Sequence, residues 1–172
     1  MNPKAFLDDN HKPEMAVALT PFRALCGFRM PEEVQGFADK IPEFRDVLGD
    51  ETMEVLNNSS YNSKKKIQAC YNALFRSTRN YKEHQSKFIS RMAEEKKKGI
   101  EVEEEFLGDT FKGIVDSFPG EDPAACFGIF LLNLVDLSPG EAIWVPAGEV
   151  HAYLSGDCLE VEYLTALQPY NI

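Results

Sequence analysis

Two residues draw attention as candidates for chemistry, Glu14 near the start of the chain and His151 near its end. Histidine is the side chain that titrates near neutral pH and the commonest protein ligand for metals, while a carboxylate supplies a hard oxygen ligand or a base. Taken singly, neither residue is decisive. A lone histidine on a strand is more often solvated or satisfied in a core than it is a ligand, and an acid at a strand start is often only a solvated edge group.

The elements that must position them are legible. His151 lies in Pro139–Glu160, PGEAIWVPAGEVHAYLSGDCLE, where short apolar runs alternate with turn signals. Pro139-Gly140 and Pro146 to Gly148 read as turns, Glu141 to Val145 and Val150 to Leu154 as strands, and the pair as an antiparallel hairpin. Alternation then places His151 and Tyr153 on one face, opposite Val150, Ala152 and Leu154. Trp144 reads as a core residue. Pro13 biases Lys12 away from helix, and Glu14 opens a strand running to Phe22. Along it Met15, Val17 and Leu19 form the strongly apolar side, expected to pack on the core, and Glu14 shares the other face with Ala16 and Ala18.

Between these strands the pattern is helical. Pro31-Glu32-Glu33 combines a proline suited to a first helical turn with acids that suit the helix dipole. Pro42 and Gly49 punctuate two short helices, and a third covers Glu51 to Leu56. Ile67, Cys70, Leu74 and Tyr81, then Phe88 and Met92, recur at helical spacing, giving one long helix or two over Ser63 to Lys98 with a break at Ser77-Thr78. A further helix is expected from Val102 to Phe118, ended by Pro119-Gly120. His84 falls among Lys82, Glu83 and Gln85 and reads as solvated. The nearly continuous apolar run Cys126 to Val135 reads as a buried strand.

The terminal segments resemble one known family. Asn10–Arg29, NHKPEMAVALTPFRALCGFR, and the Pro139–Glu160 stretch are both similar to segments of the type I mannose-6-phosphate isomerases, in the same order. The resemblance covers roughly residues 8 to 160. It implies an α+β chain, a partial cupin or jelly-roll β-barrel with an inserted all-helical domain. Residues 1–30 would be a first cupin segment, 31–122 the helical insertion, 123–163 the cupin strands bearing the metal-site stretch, and 164–172 a divergent tail.

The same resemblance implies zinc-dependent interconversion of mannose 6-phosphate and fructose 6-phosphate through an enediol, a step that feeds GDP-mannose synthesis. Glu14 and His151 match metal ligands. Lys12 matches a lysine assigned to substrate binding or proton transfer, with His11 beside it at the catalytic site. Tyr153 and Glu160 are expected to line the substrate pocket, and Cys158 to be structural. The family's other two zinc ligands, in a Q-x-H-P-type segment upstream of the HKPE motif, have no counterpart here. Its arginine-bearing V-R-A-G-L-T-P-type segment is also missing, and VEYLTALQPYNI follows Glu160 instead. The expectation is therefore a truncated chain with two of four ligands, holding zinc poorly and exposing unpaired strand edges. The alternative is an inactive product that acts, if at all, through its helical region.

Bulk properties narrow the field further. The 172 residues, 44% hydrophobic and 27% charged, suit one globular domain. A net charge of −10 disfavours nucleic acid and anionic membranes as partners; a small sugar phosphate is the partner that the family resemblance implies. The lysine runs at 64–66 and 96–98 read as solvated helix faces. Four scattered cysteines without a C-x-x-C pair, and the absence of signal-like or membrane-spanning segments, are expected of a cytoplasmic protein with reduced thiols. Oligomeric state is not encoded in any of these features.

Overall fold

The computed structural model describes residues 12–75, 81–117 and 126–162. They form six strands and seven helices, and divide into two compact units. One unit is drawn from the chain up to Gly27 and from Leu134 onward, and the other comprises Phe28–Asn133.

The first unit is a pair of three-stranded sheets. In one, β1 (Glu14–Ala18) lies between β4 (Ala142–Val145) and β6 (Cys158–Glu162), antiparallel to both. In the other, β2 (Phe22–Phe28) lies between β3 (Leu132–Leu137) and β5 (His151–Ser155), and pairs antiparallel with β5. The six strands form two open sheets and no closed barrel. Ala18, Phe22 and Ala24 are buried between the sheets with Leu137, Tyr153 and Cys158 packed against them. Phe22 and Tyr153 meet edge to face at 5.1 Å. Arg23 donates from Nε and Nη2 to the two carboxylate oxygens of Asp136, at 2.6 and 2.9 Å, across neighbouring strands.

Four readings of these strands are corrected. The β4 and β5 segments are strands but not a hairpin, because each pairs in a different sheet. Pro146 begins the intervening turn, the Glu149 amide donates to its carbonyl, and Gly148 takes a φ of 78°, which carries the chain across the sandwich. A single strand over Glu14–Phe22 is replaced by two, since the chain turns at Leu19–Pro21 and changes sheet. The buried face of β1 is the small one: Ala16 and Ala18 are sealed, whereas Met15 and Val17 are only partly covered and Leu19 is 59% exposed. Trp144 is likewise outside the core, at 60% exposure. Close approach of the two sheets favours alanine on the inner side, a requirement that a ranking by hydrophobicity does not contain.

The second unit is helical for most of its length. Pro31 opens α1 (Pro31–Lys40), and Glu33 reaches back to the Met30 amide at 3.0 Å. The chain continues through α2 (Pro42–Leu48), α3 (Asp50–Asn57), α4 (Ser63–Phe75) and α5 (Lys82–Lys97). The expected break at Ser77-Thr78 lies outside the described residues. The stretch expected as one helix from Val102 is two, α6 (Val102–Phe106) and α7 (Gly108–Ser117). Leu107 adopts φ 52° between them, and Glu103 accepts from the Thr110 amide at 2.8 Å and from the Thr110 hydroxyl, satisfying the start of the next helix. His84 is half-buried with its Nδ1 3.9 Å from Asp46, so it is not the freely solvated residue expected. Lys96, Lys97 and Lys98 each meet an acid, Asp109, Glu94 and Glu95 respectively.

The reading of the apolar run from Cys126 is also corrected. Cys126 and Phe127 are helical, Gly128–Phe130 form a 3-10 turn, and the strand starts only at Leu132. Periodicity cannot separate strand from helix when every residue is buried, and here burial is complete from Phe127 through Leu131. Helical curvature lets Phe130 meet Phe37, Phe44, Phe88 and Phe111 at centroid distances of 5.2, 5.0, 5.7 and 5.9 Å. Among the described residues no helix is long and apolar enough to cross a membrane.

Within this unit Arg91 makes a forked contact with the nearly buried Glu43, its Nη2 2.7 Å from one oxygen. Burial pushes the Glu43 carboxyl up, but the hydrogen bonds from Arg91 outweigh it and the pKa ends below the ordinary value. A depressed pKa means the pair stabilises the fold above the unfolded carboxyl range, near ~4.3, and is lost as pH falls through the lower folded value. Arg91→Ala should therefore cost about 2–3 kcal/mol at neutral pH, and far less at acid pH, in urea unfolding. Phe130→Ala should cost about 3–5 kcal/mol at either pH, because the loss is one of packing.

Candidate metal and substrate site

The two sheets bring Glu14 and His151 together although 136 positions separate them in the sequence. Pairing of Cys26 with His151 fixes β5 on β2, and pairing of Glu14 with Val145 and Glu162 fixes β1 in the opposing sheet. His151 Nε2 stands 3.1 Å from a Glu14 carboxylate oxygen, with side-chain exposures of 26% and 13%. On its other side the imidazole Nδ1 is 3.0 Å from the Glu149 carbonyl. A carbonyl can only accept, so Nδ1 carries the proton and donates it. The Nε2 lone pair of a neutral ring is then directed at a carboxylate. Two lone pairs at that distance repel unless the ring is protonated or a cation lies between them.

Glu160 completes the cluster. It faces Ala16 across the β1–β6 ladder, one diagonal step from Glu14 on the same side of the sheet. One ligand atom from each of Glu14, His151 and Glu160 lies within 4.8 Å of the other two. Metal–ligand bonds of about 2.0–2.2 Å around one centre require separations of this order. Two oxygens and one imidazole nitrogen suit zinc, and three protein ligands leave a coordination position open. Glu160, expected only to line the substrate pocket, thus also offers a donor within reach of a metal.

Tyr153 and Lys12 border this cluster. The Tyr153 hydroxyl donates to Glu160 at 2.7 Å, and its ring lies 5.7 Å from that of His151. Burial and then the neighbouring Glu160 carboxylate push its pKa well above that of an ordinary phenol. Lys12 Nζ lies 2.6 Å from Glu162 and 3.5 Å from Glu14. Its pKa is raised, chiefly by the hydrogen bond to Glu162, so it remains an ammonium. His11 lies outside the described residues. Glu162 was missed from sequence, although its place two residues after Glu160 on a strand puts it on the same face. The backbone role of Glu149 has no side-chain signature to find. A cleft of about 410 Å³ elsewhere in the unit, lined by residues such as Arg23, Asp136 and Ser155, includes none of these groups.

Comparison with known proteins gives this cluster a context. The mannose-6-phosphate isomerase of Macaca fascicularis is 38% identical to the chain over 163 residues, an alignment covering 92% of this chain. The chain is similar to mannose-6-phosphate isomerases over the part of their length that it spans. The human mannose-6-phosphate isomerase matches at the same 38%, and the probable enzyme of Dictyostelium discoideum at 34%. The family described as phosphomannose isomerase type I, catalytic domain, matches residues 1–31. Among solved structures, a mannose 6-phosphate isomerase bound with zinc and yttrium superposes with a TM-score of 0.70 at 26% identity, covering 94% of this chain and 37% of that one. A phosphomannose isomerase variant from Salmonella typhimurium gives 0.69 at 26% identity, covering 91% and 36%. The chain spans about 38% of the length of the curated mammalian relatives.

An alkaline spectrophotometric titration should show Tyr153 ionising well above the range of an ordinary phenol. Glu160→Gln should bring it only part of the way back, because burial is the larger cause. A Tyr153 that titrates as an ordinary phenol would remove the Glu160 hydrogen bond from the site.

Proposed function

We propose that this chain carries the metal-binding core of a mannose-6-phosphate isomerase site and takes part in the zinc-dependent interconversion of mannose 6-phosphate and fructose 6-phosphate. The observation that carries the reading is the convergence of Glu14, His151 and Glu160 beside Lys12, in a fold shared with zinc-bound relatives. Glu14, His151 and Glu160 would hold the ion. When bound, zinc supplies a Lewis acid that stabilises negative charge on the sugar oxygens during enolisation.

The chain's own groups account for the rest of the reading. The Glu149 carbonyl holds the imidazole with Nε2 turned inward, and Tyr153 holds the Glu160 carboxylate by one oxygen. Lys12, as an ammonium, is suited to bind an anionic oxygen of the sugar phosphate or to donate a proton to the developing enediol, and not to abstract one. His11, its neighbour in sequence, is the candidate for the opposite proton step between C1 and C2. The reading places the reaction in cytoplasmic mannose metabolism upstream of GDP-mannose synthesis. Neither nucleic acid nor membrane is a partner in it, which agrees with the net charge of −10.

The test measures zinc content and isomerisation of mannose 6-phosphate on the same sample. Wild type dialysed against zinc should retain about one ion per chain through the three-ligand set. Glu14→Ala and His151→Ala should each lose it, and turnover with it. Chelation should lower the unfolding temperature of the wild type and leave both variants unchanged, since an ion that binds only the folded state stabilises it. Wild type that takes up no zinc at millimolar excess would overturn the assignment.

A further inference from the structure

Glu162 is a carboxylate beside the metal cluster but outside the group of mutually close donors formed by Glu14, His151 and Glu160. It stands directly opposite Glu14 on the β1–β6 ladder, and Glu160 stands opposite Ala16, two residues along each strand. All three carboxylates therefore project from one face of the sheet. Like charges directly opposite one another on a ladder repel, so the Glu14–Glu162 pair calls for a cation between its members. Lys12 is that cation: its Nζ lies 2.6 Å from Glu162 and 3.5 Å from Glu14. The inequality of the two contacts carries information. Glu14, with a side-chain exposure of 13%, is the more deeply set carboxylate, whereas Glu162, at 37%, stands nearer the rim. Attraction between charges strengthens where water is excluded, which on its own would draw an ammonium inward to Glu14. Lys12 instead keeps its short contact with the outer partner.

The consequence falls on Glu14. Its carboxylate faces His151 Nε2 at 3.1 Å and is one of three groups placed to hold a single ion. An ammonium seated closely on Glu14 would occupy that carboxylate with a resident positive charge and repel an incoming dication. We propose that Glu162 is a positioning residue: it holds the Lys12 ammonium at the rim of the site, leaving Glu14 free to share a divalent cation with His151 and Glu160. The inference rests on the zinc-binding reading of this cluster and adds the residue that keeps Lys12 from blocking it. Glu162 is not itself a ligand. Its second effect is to keep the ammonium beside the ion, in place for an anionic oxygen of the sugar phosphate.

The first arm of the test uses the full chain free of metal, isotopically labelled at the lysine side-chain nitrogens. The Lys12 ammonium resonance is assigned by its loss in Lys12→Met. Glu162→Gln should displace it strongly, whereas Glu162→Asp, which keeps the carboxylate, and Glu14→Gln should displace it little. A resonance that follows Glu14→Gln and ignores Glu162→Gln would overturn the positioning, whether or not zinc binds. The second arm measures zinc affinity by competition with a chromophoric chelator, on variants that circular dichroism shows to be folded. Glu162→Gln should weaken zinc about tenfold or more, the scale of one ammonium released onto a metal-binding carboxylate. Glu162→Asp should recover most of that loss, and Lys12→Met should bind zinc at least as tightly as wild type. In the Lys12→Met background, Glu162→Gln should change affinity by less than about threefold, because no ammonium remains to be held. An equal loss with and without Lys12 would overturn the proposal, since Glu162 would then act as a ligand or as a nearby charge. Wild type that takes up no zinc would overturn the metal reading and the effect on Glu14 with it, while the ammonium resonance would still decide whether Glu162 holds Lys12.

Discussion

A carboxylate on one sheet and an imidazole on the other stand 3.1 Å apart, and the geometry of the site follows from holding them there. Neither group could be placed by local sequence, because each is fixed by the strands beside it. Glu14 is set by ladders on both of its sides, and His151 by its pairing with Cys26 and by the Glu149 carbonyl behind the ring. The alanine side of β1 lets the sheets come close enough for the two to meet. Packing and chemistry therefore rest on the same small residues.

The helical unit solves a different physical problem. Its centre is a set of phenylalanine rings in edge-to-face, tilted and stacked contact, with Phe130 and Phe111 each touching several others. Such rings gain from their mutual orientation as well as from leaving water. Glu43 and Arg91 add a polar contact at the margin of this core, where the guanidinium also lies over Phe88 at 5.5 Å. The thiol of Cys70, buried in the same unit, is pushed up to about 11 by loss of water, which marks it as an inert packing group.

Much of this was legible in the residues, and the failures share a cause. Helix starts at Pro31 and Pro42 are announced by local chemistry, and they occur where announced. The strands holding Glu14, His151 and Glu160 could also be read. What could not be read was which strands pair: Glu141–Val145 and Val150–Leu154 look like a hairpin because hairpins are the local solution, yet sheet-crossing turns use the same prolines and glycines. The side of β1 that faces inward was misjudged for a related reason, since hydrophobicity does not say how near the neighbouring sheet comes. Cys126–Leu131 was ambiguous in principle, being buried on every side. The proximity of Glu160 to Glu14 and His151 could not be read either, because its distance to Glu14 depends on a ladder that only the fold supplies.

Ser155-Gly156-Asp157, between β5 and β6, links His151 to Glu160. Gly156 has φ 92°, and a side-chain carbon there would come within 2.3 Å of the Pro21 carbonyl oxygen. The Asp157 amide is held by the Thr20 hydroxyl at 2.8 Å, so this link is clamped to the turn that joins β1 to β2. The connection behaves as a gauge block: it sets how many residues lie between the imidazole and the second carboxylate. One extra residue within it would present Leu159 on the inner face where Glu160 now stands, exchanging an oxygen donor for a methyl group. Lineages carrying this fold should accordingly vary the letters of that link far more readily than its length, with the glycine as the letter held fixed.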